Sequence, residues 1–167
     1  RRAPLAVPAF IGLGANLGDA PACLAWAAKA LRGLPATSLV AASSLYRSVP
    51  QDCPPGSPDF FNAVAQLHTE LCAPDLLEAL LALERQAGRE RPYRHAPRTL
   101  DLDLLYCDEV ILNLPELKLP HPRITERSFV LAPLAEIRPH LQLPGWSHRC
   151  EEYLFYIRNK ESYYVTH

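Results

Sequence analysis

Leucine alternates with aspartate in residues 98–105, which read RTLDLDLL, and this run constrains the fold more than any other part of the sequence. In a β-strand, residues two apart share a face, whereas in a helix they point to different sides. The pattern therefore predicts a strand over 99–107 that packs Leu100, Leu102 and Leu104 on one face. The same strand presents Asp101 and Asp103 together on the other face.

Two carboxylates at this spacing lie ~6.5–7 Å apart. Left unpaired, they repel each other by ~2.5 kcal/mol at an effective dielectric constant of ~20. A bridging divalent cation removes that cost, and oxygen-only ligands favour Mg²⁺ together with substrate phosphates. The pattern alone leaves a second interpretation equally open, namely an exposed strand face with two solvated aspartates.

Segments with strand periodicity and helix periodicity follow one another in a defined order. The sequence predicts strands over 5–13, 37–47, 60–69 and 99–107, and helices over 19–33 and 74–88. This βαββαβ order predicts an α+β fold, a ferredoxin-like sandwich with an antiparallel sheet. Loops are predicted over 48–58 and 120–128, a short hairpin around 109–119, and a short helix or irregular packed segment over 129–137. C-terminal elements are added after about residue 145, and the pattern does not assign them.

Length and composition fit one domain over 1–167. The net charge of −1 and the pI near 6.6 argue against a general nucleic-acid binder, which usually carries a basic excess. No run of ~18 apolar residues occurs, so a membrane span is not expected. The five cysteines include no CxxC pair, which favours reduced thiols in a cytoplasmic protein over a zinc or redox motif.

Arginines cluster immediately before the aspartate strand, at positions 85, 89, 91, 94 and 98. The planar guanidinium grips phosphate oxygens in pairs, whereas lysine acts as a point charge. Cations beside a carboxylate pair are typical of a site that holds a polyphosphate and Mg²⁺ between them. The alternative is a solvated basic loop over 89–97.

Three further motifs lie outside that region. Residues 12–19, GLGANLGD, resemble a dinucleotide fingerprint with the third glycine one place late, so the glycines are expected to permit a tight turn against a neighbouring strand or ligand. His121 stands between two prolines, a setting that on its own favours a structural role. Beside a phosphate site it could donate to a phosphate oxygen. Asn62 follows two phenylalanines and could pair with the edge of an amide-like heterocycle, because its side chain both donates and accepts. Taken alone, Asn62 could equally be a cap at the start of a strand.

Together the motifs resemble one family, the 6-hydroxymethyl-7,8-dihydropterin pyrophosphokinases of folate biosynthesis. The resemblance covers about residues 9–141. It rests on GLGANLGD (12–19), SLYR (44–47), PDFFN (58–62), ERQAGR (84–89), RTLDLD (98–103) and PHPRITERSF (120–129).

The resemblance implies a monomeric enzyme that transfers the terminal diphosphate of ATP to the hydroxymethyl group of the pterin, giving AMP. ATP and the pterin are the implied partners, without nucleic acid or membrane, and two Mg²⁺ ions are implied on Asp101 and Asp103. The implied catalytic residues are Arg89, Arg98, Asp101 and Asp103. The implied ATP-binding residues are Glu84, Arg91, Leu104, His121 and Arg127. The implied pterin-binding residues are Val49, Phe60, Asn62, His95 and Phe129.

The sequence departs from the family pattern in several places, including the basic loop and the tail. His95 stands where a tryptophan often stands, and the tail beyond about residue 145 has no counterpart in the resemblance. Two alternatives therefore remain: a catalytically degenerate relative, and a ferredoxin-like RNA-binding module, although two aspartates on the central strand would repel RNA.

Overall fold

An antiparallel sheet of six strands forms the centre of the structure, a computed structural model that describes residues 5–49, 54–89, 100–157 and 164–166. The strands are β1 (Val7–Ala15), β2 (Thr37–Ala42), β3 (Leu45–Ser48), β4 (Phe60–Thr69), β5 (Asp101–Cys107) and β8 (Tyr164–Thr166). Their order is β5-β1-β4-β3-β8, and β2 pairs with β4 beside β3. Two short strands, β6 (Leu112–Leu114) and β7 (Leu117–Leu119), form the predicted hairpin.

In the described part of the chain, four helices flank the sheet: α1 (Ala20–Arg32), α2 (Ala73–Arg89), α3 (Ser128–Ile137) and α4 (Cys150–Ile157). Helix α1 begins where predicted, because the Asp19 carboxylate accepts a hydrogen bond from the amide of Ala22 at 3.1 Å. Gly33 follows its last turn. A single 3₁₀ turn, Ile124–Glu126, precedes α3.

The helices cover both faces of the sheet and enclose two cores. Helices α1 and α2 pack their leucines against one face, which includes Ile11 and Leu104. Helices α3 and α4 cover part of the other face, where Phe10, Val64 and Leu105 are buried. Because neighbouring strand residues alternate between the two cores, Asp101 and Asp103 lie on the α3 side, as the leucine–aspartate pattern predicts.

The predicted strand over 37–47 is two strands, and a bulge separates β2 from β3. Ala42 pairs with Ala65 and Tyr46 pairs with Asn62, so four steps on one strand face three on the other. At the break, the Ser43 side chain accepts the hydrogen bond of the Val64 amide at 2.9 Å, in place of a backbone carbonyl. The extra residue interrupts the ladder without leaving that amide unpaired.

The C-terminal segment supplies both a helix and a strand. Helix α4 packs on α3, and β8 pairs antiparallel with β3 at the edge of the sheet. No helix within the described ranges is long and apolar enough to cross a membrane. Cys72, Cys107 and Cys150 are free thiols.

Candidate active site

A row of four residues crosses the sheet on its α3 side, beyond the part that α3 covers. Asp101 of β5 pairs with Gly14 of β1, Gly14 pairs with Asn62 of β4, and Asn62 pairs with Tyr46 of β3. Directly opposed residues in an antiparallel sheet share a face. The register therefore brings the aspartate strand and Asn62 to one surface, with only a glycine between them.

Gly12 and Gly14 lie within strand β1, so the expected tight turn is not their setting. Gly14 instead leaves room for a neighbour, because a Cβ atom there would lie 2.8 Å from Asn62 Oδ1. Gly12 pairs with Asp103 in the same way. Because neither glycine has a side chain, the sheet surface between the aspartates and Asn62 is open, and a ligand can lie on it. We call this surface the glycine floor.

Above this floor lies a cleft of about 490 Å³, which we call the first cleft. Ligand pockets commonly have volumes of ~300–1,000 Å³. Its walls come from the glycine segment, β3, β4, β5 and the start of α3. They consist of Gly12, Leu13, Gly14, Ala15, Asn16, Ser48, Phe60, Asn62, Ala63, Asp101, Asp103, Arg123, Glu126, Arg127, Phe129 and Val130.

A second cleft of about 460 Å³ lies on the other side of Asp103. Its walls come from α2, β5 and the hairpin that leads to His121. They consist of Leu77, Leu81, Glu84, Leu102, Asp103, Leu104, Pro115, Glu116, Leu117, Lys118, His121, Pro122, Arg123 and Arg127. Asp103, Arg123 and Arg127 line both clefts, so one carboxylate and two guanidinium groups form the junction between them.

The aspartate pair carries an electrostatic strain. Burial and the neighbouring Asp103 charge raise the pKa of the Asp101 carboxyl above its ordinary value. A divalent cation would relieve that repulsion, so the residues fit the Mg²⁺ that the resemblance implies. Among the residues with described positions, no three His, Cys, Asp or Glu side chains gather into a metal cage. Two carboxylates leave the remaining ligand positions to water and substrate oxygens, which is how Mg²⁺ is usually held.

His121 is oriented by two backbone hydrogen bonds. Its amide donates to the Leu105 carbonyl at 2.9 Å, and its Nδ1 accepts from the Arg123 amide at 3.2 Å. Burial lowers the pKa of the imidazole, with the Arg127 and Arg123 charges adding to that effect and Asp103 opposing it. The neutral ring therefore carries its proton on Nε2 and can donate it to an anion in the second cleft.

We predict that His121 lowers the free energy of unfolding at acidic pH. Because its pKa is lower in the folded protein, the unfolded chain binds the proton more readily. The loss of stability should begin as the pH falls through about 6.5, the ordinary histidine value, and continue down to the folded pKa. The free energy of unfolding, measured with urea at pH 5 and at pH 7, should differ less between the two pH values for His121→Gln than for the wild type. An equal difference in the two proteins would contradict the assignment.

Glu84 of α2 holds the exposed edge of the aspartate strand. Its Oε2 accepts a hydrogen bond from the Leu102 amide at 2.8 Å, and that amide lies between Asp101 and Asp103 in the chain. The resemblance places Glu84 near the adenosine, and the residue does line the second cleft. The structure adds a support for the strand that carries the carboxylates.

Replacing Glu84 by Ala is expected to lower the free energy of unfolding by about 1–2 kcal/mol, because it leaves the Leu102 amide without its acceptor. The melting temperature should fall by about 2–8 °C. Glu84→Gln keeps an acceptor oxygen and should retain most of the stability. Glu78→Ala, an exposed carboxylate on the same helix, is the matched control. A weaker affinity for nucleotide at unchanged stability would instead assign Glu84 to the ligand alone.

Phe129 and Arg127 stand together at the start of α3. The Arg127 guanidinium lies 5.8 Å from the centre of the Phe129 ring, within the range of a cation–π contact. Phe129 lines the first cleft, and Arg127 reaches both clefts. The pair thus connects an aromatic surface on one side with a cationic group at the junction.

The structure brings together most of the described residues that the sequence singled out. Phe60, Asn62 and Phe129 line the first cleft, and Glu84, Leu104 and His121 line the second. Val49 is half-exposed and lines neither cleft, whereas its neighbour Ser48 lines the first. Arg91, His95 and Arg98 lie outside the described residues, and so does the basic loop apart from Arg89, which ends α2.

Sequence reasoning gave no role to Arg123 and Glu126, which the structure places in the first cleft. Their side chains lie 3.9 Å apart, and both are largely exposed. The signal that could have identified Arg123 is its position two residues after His121, in the same proline-bounded segment. Glu126 carries no comparable signal, because a glutamate in a short turn is usually a solvated surface residue.

Comparison with known proteins identifies relatives of this chain. The model of a family described as 7,8-dihydro-6-hydroxymethylpterin-pyrophosphokinase (HPPK) matches residues 10–139. A 2-amino-4-hydroxy-6-hydroxymethyldihydropteridine pyrophosphokinase of Pseudomonas aeruginosa is 47% identical over 139 residues, which cover 83% of this chain and 85% of that protein. The Haemophilus influenzae protein of the same name is 45% identical over 140 residues, which cover 83% of this chain and 86% of that protein.

Among solved structures, wild-type Plasmodium falciparum HPPK-DHPS with pterin and p-hydroxybenzoate has a similar fold, with a TM-score of 0.71 at 11% identity. The match covers 96% of this chain and 45% of that one, so this chain spans less than half of the solved protein. At this identity the likeness concerns the fold, a mixed α/β structure with an antiparallel sheet. The family model and the curated relatives, by contrast, match most of the chain in sequence. This chain therefore belongs to the 7,8-dihydro-6-hydroxymethylpterin-pyrophosphokinase family.

Proposed function

We propose that this chain performs the reaction of its family at the junction of the two clefts. It transfers the pyrophosphoryl group of ATP to 6-hydroxymethyl-7,8-dihydropterin in folate biosynthesis, giving AMP and the pterin diphosphate. One observation carries the location: two ligand-sized clefts meet at Asp103, Arg123 and Arg127. A reaction that joins two substrates needs such a meeting point.

The first cleft is the proposed pterin site. The Phe60 and Phe129 rings offer apolar surfaces for a flat heterocycle, and Asn62 offers a donor and an acceptor to its edge. Because Asn62 extends over Gly14 toward Asp101, a pterin bound to its amide would lie on the glycine floor. Its hydroxymethyl group would then be directed to the junction.

The second cleft is the proposed nucleotide site. Leu104 lies on its floor, and Glu84 and His121 line it, as the resemblance implies. The Nε2–H of neutral His121 would donate to a phosphate oxygen. Arg123 and Arg127 would meet the phosphates at the junction, where guanidinium groups hold pairs of phosphate oxygens.

Asp101 and Asp103 would hold two Mg²⁺ ions. Mg²⁺ bound to these carboxylates would supply positive charge that lowers the repulsion opposing attack by the hydroxyl group. The repulsion between the two carboxylates, described above, favours binding of a cation between them. Glu84 keeps their strand in place through the Leu102 amide.

The bond changes are simple, and the residues contribute chiefly by positioning. The pterin hydroxyl oxygen bonds to the β-phosphorus, the bond from that phosphorus to the oxygen shared with the α-phosphate breaks, and AMP leaves with that oxygen. The hydroxyl proton is released. Holding the two reactants in line and stabilising the phosphoryl charge account for the rate in such reactions. Roles for Arg89, Arg91, Arg98 and His95 remain proposals from the resemblance.

The ferredoxin-like arrangement is also part of this proposal. Strands β2 and β3 both pair with β4, on the side away from β1. If β2 and β3 are counted as one interrupted strand, the order β5-β1-β4-β2/β3 supports the ferredoxin-like arrangement. A monomeric, cytoplasmic enzyme without nucleic-acid partners remains our expectation. A gel shift with single-stranded RNA at low salt, which we expect to show no complex, tests the last point.

Pterin-dependent formation of AMP tests the proposed function. The purified chain is incubated with ATP, Mg²⁺ and 6-hydroxymethyl-7,8-dihydropterin, and the products are separated chromatographically. We expect AMP and the pterin diphosphate in equal amounts, and none when a chelator removes the metal or when the pterin is omitted. A folded chain that forms no AMP would be a catalytically degenerate relative.

A further inference from the structure

The Glu136 carboxylate, outside both clefts, joins two walls of the first cleft. Its Oε1 accepts from the Tyr46 hydroxyl at 2.8 Å and its Oε2 accepts from the Ser44 hydroxyl at 3.1 Å. The Ser44 amide lies 3.1 Å from both oxygens. Glu136 belongs to the last turn of α3, whereas Ser44 and Tyr46 belong to the bulge and to strand β3. Three donors from one side of the cleft thus meet one carboxylate from the other.

The position of Glu136 does not favour its own helix. The C-terminal turn of a helix carries partial negative charge, so a carboxylate there is slightly destabilising. The hydrogen bonds to Ser44 and Tyr46 offset that cost and are the evident benefit of a glutamate at this place.

Each side of this contact carries residues of the first cleft. Tyr46 is buried and directly opposes Asn62 across the strand pair, and β3 ends at Ser48, which lines the cleft. Helix α3 carries Phe129 in its first turn, with Arg127 as its N-cap. A shift of α3 against β3 would therefore change the spacing between the Phe129 ring and Asn62.

We propose that Glu136 is a positioning residue for the pterin. It fixes the distance between the Phe129 ring, which covers the substrate, and the Asn62 amide, which hydrogen-bonds to its edge. This inference rests on the proposed function, since it assumes that the first cleft binds the pterin. Among the described residues, the lining of the second cleft includes none from β3 and none from α3, and only Arg127, the N-cap of α3, reaches it. Loss of the Glu136 contacts should therefore act on the pterin far more than on ATP.

Steady-state kinetics of Glu136→Ala, Glu136→Gln and Tyr46→Phe test this inference, with KM measured separately for each substrate. For Glu136→Ala we expect the KM for the pterin to rise about tenfold, since small misplacements of binding groups have effects of this order or larger. The KM for ATP should stay within about twofold. Glu136→Gln keeps one acceptor oxygen and should be intermediate, and Tyr46→Phe should raise the pterin KM by a smaller factor. Glu78→Ala, which lies outside both clefts, should match the wild type.

The double variant Glu136→Ala with Tyr46→Phe should be no worse than Glu136→Ala alone, because the same hydrogen bond is lost in both. Equal rises in both KM values, or no change in either, would overturn the inference while the wild-type activity upholds the proposed function. If Glu136→Ala does not fold, Tyr46→Phe and Ser44→Ala decide the question, through the rise in the KM for the pterin relative to that in the KM for ATP. A wild-type chain that neither turns over nor binds the pterin would overturn the proposed function itself.

Discussion

Replacing Asp101 by Asn should greatly reduce turnover and at the same time make the metal-free protein slightly more stable. Loss of a metal-binding carboxylate removes several kcal/mol of transition-state stabilisation, so AMP formation should fall by about 10³-fold or more. The gain in stability follows from the raised pKa of Asp101. A carboxyl whose pKa is raised by folding is disfavoured in its charged form, so its ionisation lowers stability at neutral pH.

The gain in stability is small because Asp101 is partly exposed to solvent and water screens the repulsion. We expect about 0.5 kcal/mol, which corresponds to about 1–2 °C in the melting temperature. Addition of Mg²⁺ and ATP should reverse the order. The wild type gains stability from ligand binding, whereas Asp101→Asn gains little.

Thermal melts with and without Mg²⁺ and ATP, combined with the AMP assay, measure both effects. Asp108→Asn lies just beyond the other end of the same strand and outside both clefts, so it is the control for activity. A variant that retains activity would refute the metal assignment. A variant that is less stable without metal would show that Asp101 has a stabilising partner in the fold.

The sequence predicted most of the fold because its strongest patterns are local. Strand β4 has the predicted bounds, and helices α1 and α2 each match within a residue or so. The strand break at Ser43 could not be predicted, because it depends on how that side chain meets Val64 of the partner strand. The place of β8 beside β3 is likewise a long-range pairing that no local pattern encodes.

The site could be predicted as a set of residues but not as an arrangement. Residue types and spacing singled out Asp101, Asp103 and His121 as candidates for metal and phosphate. The division into two clefts depends on strand order, which places Asp103 between Asn62 and Glu84. The roles of Glu84 and Glu136 toward the backbone were also out of reach, since a glutamate on a helix carries no sign of the amide that it will meet.

Gly14 has a role that depends on this arrangement, and its replacement is the second prediction with a large expected effect. A Cβ atom at Gly14 would lie 2.8 Å from Asn62 Oδ1, so Gly14→Ala must displace the Asn62 side chain. That side chain is proposed to make two hydrogen bonds to the pterin, each worth about 1–1.5 kcal/mol. We therefore expect kcat/KM for the pterin to fall by about 10²-fold. The fold itself should not be weakened, because alanine suits a strand better than glycine.

Comparison with Asn62→Ala distinguishes displacement of Asn62 from direct obstruction of the cleft by the new methyl group. If Gly14→Ala acts through Asn62, the double variant should have nearly the same kcat/KM as Asn62→Ala alone, because both changes remove one interaction. If the methyl group obstructs the pterin, the two losses should instead multiply. Gly33, at the end of α1, lines neither cleft, so Gly33→Ala is the matched glycine control and should leave kcat/KM unchanged. Non-additive effects on kcat/KM would thus show that Gly14 leaves the space in which the Asn62 amide is held over the site.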